Sequence, residues 1–195
     1  MPGRAAATLL AASVALGACG DAGRREPGAD ANPPAVAQDS PAASAGGNVT
    51  APMRDRNGKD LGTVTLTESG QGISAAGRIG GLPPGVHGIH LHTVGRCDPP
   101  AFESAGGHWN PTDRKHGTQT AGGPHLGDLP NITVARDSSV TVQATTAGGT
   151  LRGANALLDA DGAAVVVHAK RDDYKSQPSG DSGDRIACGI VGQQR

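Results

Sequence analysis

Residues 48–79 read NVTAPMRDRNGKDLGTVTLTESGQGISAAGRI, and apolar residues recur along them with a period of two. Val49, Ala51 and Met53 alternate with polar residues before Asn57-Gly58, a dipeptide suited to the positive-φ positions of a tight hairpin turn. Leu61 to Glu68 then places Val64 and Leu66 on one face, and Ile73 to Ile79 follows the turn at Ser69-Gly70. Successive side chains of a strand point to opposite faces, so this pattern predicts strands with one side on a core.

Similar runs continue outward from this stretch. His87 to Thr93 follows Pro83-Pro84-Gly85; Ile132 and Val134, then Val140, Val142 and Ala144, flank Asp137-Ser138; Val165 to Val167 and Ile186 to Val191 complete about eight short strands. No segment carries a capped apolar period of 3.6 residues, so the chain reads as all-β, a sandwich or Greek-key barrel. Composition agrees: 31 Gly and 14 Pro favour turns, and one Phe, one Trp and one Tyr leave the core to aliphatic residues. Residues 94–130 and 169–185 are too long and polar to be turns, and loops of that length in a compact domain usually carry function. The formal charge of −1 offers no bulk electrostatic case for nucleic acid.

The first residues predict export. Arg4 precedes an apolar run, Ala5 to Ala18, too short to span a bilayer. It ends in Leu16-Gly17-Ala18-Cys19, which resembles a bacterial lipobox. Residues 1–18 are therefore expected to be a lipoprotein signal peptide, with Cys19 lipidated as the first mature residue and the membrane reached only through that lipid. An ordinary secretory peptide is the alternative. Residues 19–48 hold almost no large apolar side chains and read as a disordered tether, leaving 49–195 as the domain. Cys97 and Cys188 remain; in an exported protein an even pair is a disulfide by default, with two free thiols as the alternative.

All seven histidines fall between residues 87 and 168. His90 and His92 are two apart on an expected strand, so both imidazoles leave one face while Leu91 leaves the other. Two such nitrogens suit copper, zinc or nickel. His108, His116, His125 and Asp128 lie on the first long loop, and three imidazoles with one carboxylate can close a tetrahedral zinc site. His168 ends the Val165–Val167 strand and could complete a second, nitrogen-only site with His90 and His92.

Six fragments carry a resemblance: Gly88-Ile89-His90-Leu91-His92, Gly106-Gly107-His108-Trp109-Asn110-Pro111, Lys115-His116-Gly117, Pro124-His125-Leu126-Gly127-Asp128-Leu129, Val167-His168 and Gly183-Asp184-Arg185-Ile186-Ala187-Cys188-Gly189. In order and spacing the chain from about Asn48 onward resembles copper/zinc superoxide dismutase. The resemblance implies an eight-stranded Greek-key barrel, copper on His90, His92, His108 and His168, and zinc on His108, His116, His125 and Asp128. It makes His108 the ring shared by both metals, Cys97–Cys188 the intrasubunit disulfide, Arg185 the active-site arginine and His87 a supporting residue that binds no metal. It also makes Asp172 the carboxylate linking His90 to His116. The stretch from His168 to Arg185 looks like the bacterial exported branch.

The implied reaction is disproportionation of superoxide to oxygen and hydrogen peroxide. An imidazole shared by two cations must lose both ring protons, so His108 is expected to accept and return a proton during turnover. Two other readings are a copper-only relative, which would lack His116, His125 and Asp128, and a non-catalytic copper/zinc-binding or copper-delivery module of the cell envelope. The sequence leaves the oligomeric state, monomer or homodimer, open.

Overall fold

The computed structural model describes residues 47–192; the expected signal peptide, Cys19 and nearly all of the expected tether lie outside them. The regular elements among those residues are strands and a single 3-10 turn, Glu103–Ala105. The strands are β1 (Asn48–Asp55), β2 (Asp60–Ser69), β3 (Gly72–Gly80), β4 (Gly85–His87), β5 (Ile89–His92), β6 (Ile132–Val134), β7 (Ser139–Thr145), β8 (Ala164–His168) and β9 (Arg185–Ile190). The all-β expectation holds.

One sheet runs β5-β8-β9-β1-β2-β3-β7, and β4 pairs with β6 in a second. β4 leads directly into β5, and β6 turns into β7 where Ala135 N donates to Ser139 O. The short pair therefore connects the two edges of the long sheet, which curls toward a barrel. The connections from β3 to β4 and from β7 to β8 join strands that are not neighbours, the crossovers of a Greek key. The run expected as one fourth strand is broken at Gly88, whose N–H donates to Lys170 O and whose carbonyl accepts from His168 N. The second long loop thus takes the hydrogen bonds at the point where the chain passes between sheets. A further long connection, residues 146–163, escaped the sequence reading although Leu151 and Leu157 within it are buried. Only Leu151 and the adjacent Leu157 and Leu158 mark it, too few and wrongly spaced for either period.

Alternation places the core as expected. Ala51 and Met53, Val64 and Leu66, Ile73, Ala75 and Ile79, and Val140, Val142 and Ala144 all face one interior. Gly77 takes the inward position between Ala75 and Ile79, and a Cβ there would sit 2.1 Å from Thr63 O. β2 and β3 approach too closely at that point for any side chain.

β5 and β8 are buried on both faces, and this positions the site. Ile89, Leu91, Val165 and Val167 enter the main core. Ala164, Val166 and Cys188 face outward, where Phe102 and Ala105 of the first long loop cover them in a second small core. Cys97 and Cys188 are disulfide-bonded at the edge of this cluster. A loop that reads as polar is thereby fixed by one aromatic anchor and one covalent bond.

Candidate metal centre

His90 and His92 leave the outer face of β5, opposite Ile89 and Leu91. β5 is an edge strand, and its free edge is taken by the first long loop. Trp109 N donates to Leu91 O at 2.8 Å, Leu91 N to Gly127 O at 2.9 Å, and Gly127 N to Trp109 O at 2.8 Å. These bonds satisfy backbone groups an open edge would expose. They also set His108 beside His92 and Asp128 beside His90, each as an isolated β-bridge. A Cβ on Gly127 would lie 2.4 Å from Leu91 O, so glycine is required at this approach.

His90, His92, His108 and His168 form one group, and His108, His116, His125 and Asp128 a second. Within each, one ligating atom per residue lies within 4.8 Å of the others. His108 belongs to both, and its ring centroid stands 4.0 Å from that of His90.

In the first group, each ring commits one nitrogen and leaves the other unpartnered. His90 Nε2 donates to Asp172 Oδ2 at 2.9 Å, His92 Nδ1 to Gly106 O at 2.9 Å, and His168 Nδ1 to Gly183 O at 3.1 Å. His108 Nδ1 lies 2.8 Å from Asp128 Oδ1. The remaining atoms, His90 Nδ1 and Nε2 of His92, His108 and His168, are buried without a hydrogen-bond partner. Orphaned buried polar atoms are costly and rare in proteins. Four of them within 4.8 Å, each fixed as the unprotonated or free nitrogen by its ring's other bond, fit one soft-to-borderline cation.

In the second group Asp128 collects three imidazoles. Its Oδ1 lies 2.8 Å from His108 Nδ1 and 3.2 Å from His125 Nδ1, and its Oδ2 lies 3.0 Å from His116 Nδ1. The Gly117 and His125 N–H groups also donate to Oδ2. Three nitrogens and a carboxylate match the donor set and closed geometry of structural zinc.

Electrostatics follow from this burial. Desolvation lowers His90 to about 3, outweighing its bond to Asp172, and lowers His168 to about 4. Burial likewise holds His92 well below the usual imidazole range and lowers His108. These rings are neutral at pH 7, the state in which nitrogen binds a metal. His116 goes the other way: burial opposes its charge, but contact with Asp128 and Asp172 raises it to about 9. Burial opposes ionisation of Asp128 and Asp172, yet the imidazoles bonded to them hold both far below the ordinary carboxylate range.

Asp172 lies fully buried between the groups, with Oδ2 on His90 and Oδ1 on His116 Nε2 at 3.0 Å. Asp173 instead caps its own turn through Lys175 N, Ser176 N and the Ser176 hydroxyl. Arg185 Nη1 and Nη2 donate to Phe102 O and Gly106 O, both at 2.7 Å. Arg185 also lines a depression with Arg56, Glu103, Gly183 and Asp184. His87 stands outside both groups, with Nδ1 2.8 Å from His168 O and Nε2 2.9 Å from Pro83 O.

Several positioning residues gave no sequence signal. Asn131 Oδ1 accepts from Asp172 N while its Nδ2 donates to Asp172 O. Gln177 holds the backbone N–H and carbonyl of His116 in the same way. Each side-chain amide imitates a peptide partner, and amides are common enough in loops that nothing in the chain singles these out.

The sequence matches the copper/zinc superoxide dismutase family over residues 61–191. This chain belongs to that family. It is 41% identical to superoxide dismutase [Cu-Zn] 1 of Aquifex aeolicus over 70% of this chain and 83% of that protein. It is 42% identical to superoxide dismutase [Cu-Zn] of Caulobacter vibrioides over 74% and 85%. Among solved structures, a superoxide dismutase-like protein of Bacillus subtilis superposes with TM-score 0.70 at 35% identity, covering 76% of this chain and all of that one. The Cu/Zn superoxide dismutase of Brucella abortus gives TM-score 0.59 at 28% identity over 74% and 99%. Copper and zinc are the cofactors of the superoxide dismutase family, and the two residue groups fit them.

Proposed function

We propose that the protein is a superoxide dismutase, converting two superoxide anions and two protons into oxygen and hydrogen peroxide. One observation carries this reading: two four-residue ligand groups share His108, and the nitrogen-only group leaves four converging nitrogens unpartnered. His90, His92, His108 and His168 would hold copper; His108, His116, His125 and Asp128 would hold zinc. Copper supplies the one-electron redox chemistry, which zinc cannot, so zinc's part is to hold the first loop and the shared ring.

The chain's own residues supply the rest. Arg185 stands beside His92, both bonded to Gly106 O, and would bind the small anion there; burial lowers its pKa, but from a value so high that it stays cationic. His108 Nε2 is buried, faces the first group and has no hydrogen-bond partner, so it is the atom suited to take up a proton and pass it to the peroxide product. Asp172 fixes the rings of His90 and His116 by accepting from each. The non-catalytic alternative is not favoured: it has no use for Arg185 beside a complete ligand set. Superoxide consumption by purified protein, measured with and without added copper, tests the proposal; a copper-loaded protein with no activity would end it.

Export is supported by the Cys97–Cys188 disulfide, which persists in oxidising compartments. We propose the domain division 1–18 signal peptide, 19–48 lipidated tether and 49–195 barrel, with Cys19 anchoring the protein in the cell envelope facing the periplasm. A mature N-terminus found by mass spectrometry downstream of Cys19 would overturn the anchor.

A further inference from the structure

We infer that Arg56, on the first hairpin, is a positioning residue for Arg185, acting through the Arg185 carbonyl oxygen; the inference rests on the superoxide reading above. β1 pairs with β9 only at Arg54–Cys188 and Asp55–Ala187. Beyond Asp55 the main chain turns, Gly58 N donating to Asp55 O and Asp55 N to Lys59 O, so it cannot carry the ladder on to Arg185. The Arg56 side chain does so instead. Its Nε donates to Arg185 O at 2.8 Å, and its Nη2 lies 3.2 Å from Asp184 Oδ2. A guanidinium can make both contacts at once; an ammonium lacks that fork.

The grip falls where the β8–β9 ladder is irregular, opposite the side on which Asp184 O accepts from Ala169 N at 2.7 Å. The β8–β9 register shifts between Val167 and His168, next to the His168–Arg185 pair. Gly183, two residues before Arg185, has φ 74°, a region glycine enters without strain and leaves as readily. Arg185 is then fixed at both ends, its main-chain oxygen by Arg56 and its guanidinium by Phe102 O and Gly106 O. The Arg56–Asp184 ion pair is largely exposed and contributes little stability by itself. What fixes the direction in which Arg185 enters the site is the bond from Arg56 Nε to Arg185 O, which does not need the Asp184 carboxylate.

Two features of the test separate positioning from simple charge. All variants are made on Asp184→Asn, which removes the carboxylate that Arg56 neutralises. Two quantities are then read on copper- and zinc-loaded protein: azide affinity, from the copper absorption, and kcat/KM for superoxide. Arg56→Gln should weaken azide binding and lower kcat/KM by about 3- to 10-fold, the size of coupling found between contacting residues. Arg56→Lys should fall nearly as far, and metal content should stay at the parent level. In an Arg185→Ala background Arg56→Gln should change neither quantity. Full function in Arg56→Lys, a persisting effect without Arg185, or a loss of bound metal would each overturn the inference. Azide results as expected in a protein that consumes no superoxide would instead sink the activity and leave Arg56 in its role.

Discussion

His92 and Arg185 meet at one atom: Nδ1 of His92 and Nη2 of Arg185 both donate to the carbonyl oxygen of Gly106, at 2.9 and 2.7 Å. Gly106 has φ 74° and ends the 3-10 turn, which itself sits on the outer face of β8 through Ala105. A single peptide of the first loop therefore sets the ring that would bind copper and the cation that would bind the substrate anion. Moving that peptide moves both, and substitutions here separate anion binding from metal binding.

Arg185→Ala removes one of two donors to Gly106 O and leaves His92 in place. We expect kcat/KM for superoxide to drop about 10- to 100-fold, within the range that a focused positive charge supplies. Copper absorption should change little. Arg185→Glu should make the rate rise with salt, because screening now weakens a repulsion. A rate unchanged at low ionic strength in both variants would show that Arg185 only braces the loop.

Asp172→Asn keeps the shape but leaves one acceptor oxygen for two imidazole N–H donors. Metal affinity should fall about 10- to 100-fold, as for other residues behind metal ligands. Zinc should suffer more than copper, since His116 sits on a loop and His90 on a strand. Asp173→Asn preserves an oxygen for the turn and should leave both affinities near wild type. Competitive chelation reads all four values, and equal zinc affinities for Asp172→Asn and wild type would remove Asp172 from the metal site.

Opening the Cys97–Cys188 bridge, by pairing Cys97→Ser with Cys188→Ser, frees a loop spanning 91 residues. In the chain-entropy view this costs about 4–5 kcal/mol, an upper-end figure. The same loop carries Phe102 O and Gly106 O, so Arg185 loses its fixed acceptors. Denaturant unfolding of the metal-free protein should show the stability loss, and kcat/KM of the reloaded protein should fall with it. A stability loss with unchanged kcat/KM would mean that Phe102 alone holds the loop.

The metal-free protein should lose stability as acid is added. His90 and His168 have folded pKa values of about 3 and about 4, against 6.5 when exposed, so the unfolded chain binds more protons below that value. Their contribution is intact above pH 6.5 and declines as pH falls toward 4. His116, raised to about 9, acts in reverse: its contribution is full below pH 6.5 and fades as pH climbs through 9. Denaturant midpoints across pH 4 to 10 should therefore peak between these limits. A midpoint that stayed flat from pH 6.5 to 4 would contradict neutral burial of the two rings.

Period two in residues 48–79 is enough to make the chain all-β, because only strands turn alternate residues to a common core. The spacing of His90 and His92 likewise puts both rings on one face, and the residue types at His108, His116, His125, Asp128 and His168 name the chemistry. Which nitrogen of each ring faces the metal is not written locally. It depends on acceptors distant in sequence: Asp172 for His90, Gly106 O for His92 and Gly183 O for His168. The same holds for Arg56, Asn131 and Gln177, ordinary loop residues until the fold brings a backbone group within reach. Local periodicity is set by backbone geometry and can be read along the chain, whereas hydrogen bonds that reach from 14 to 129 residues away exist only once the loops have packed on the barrel.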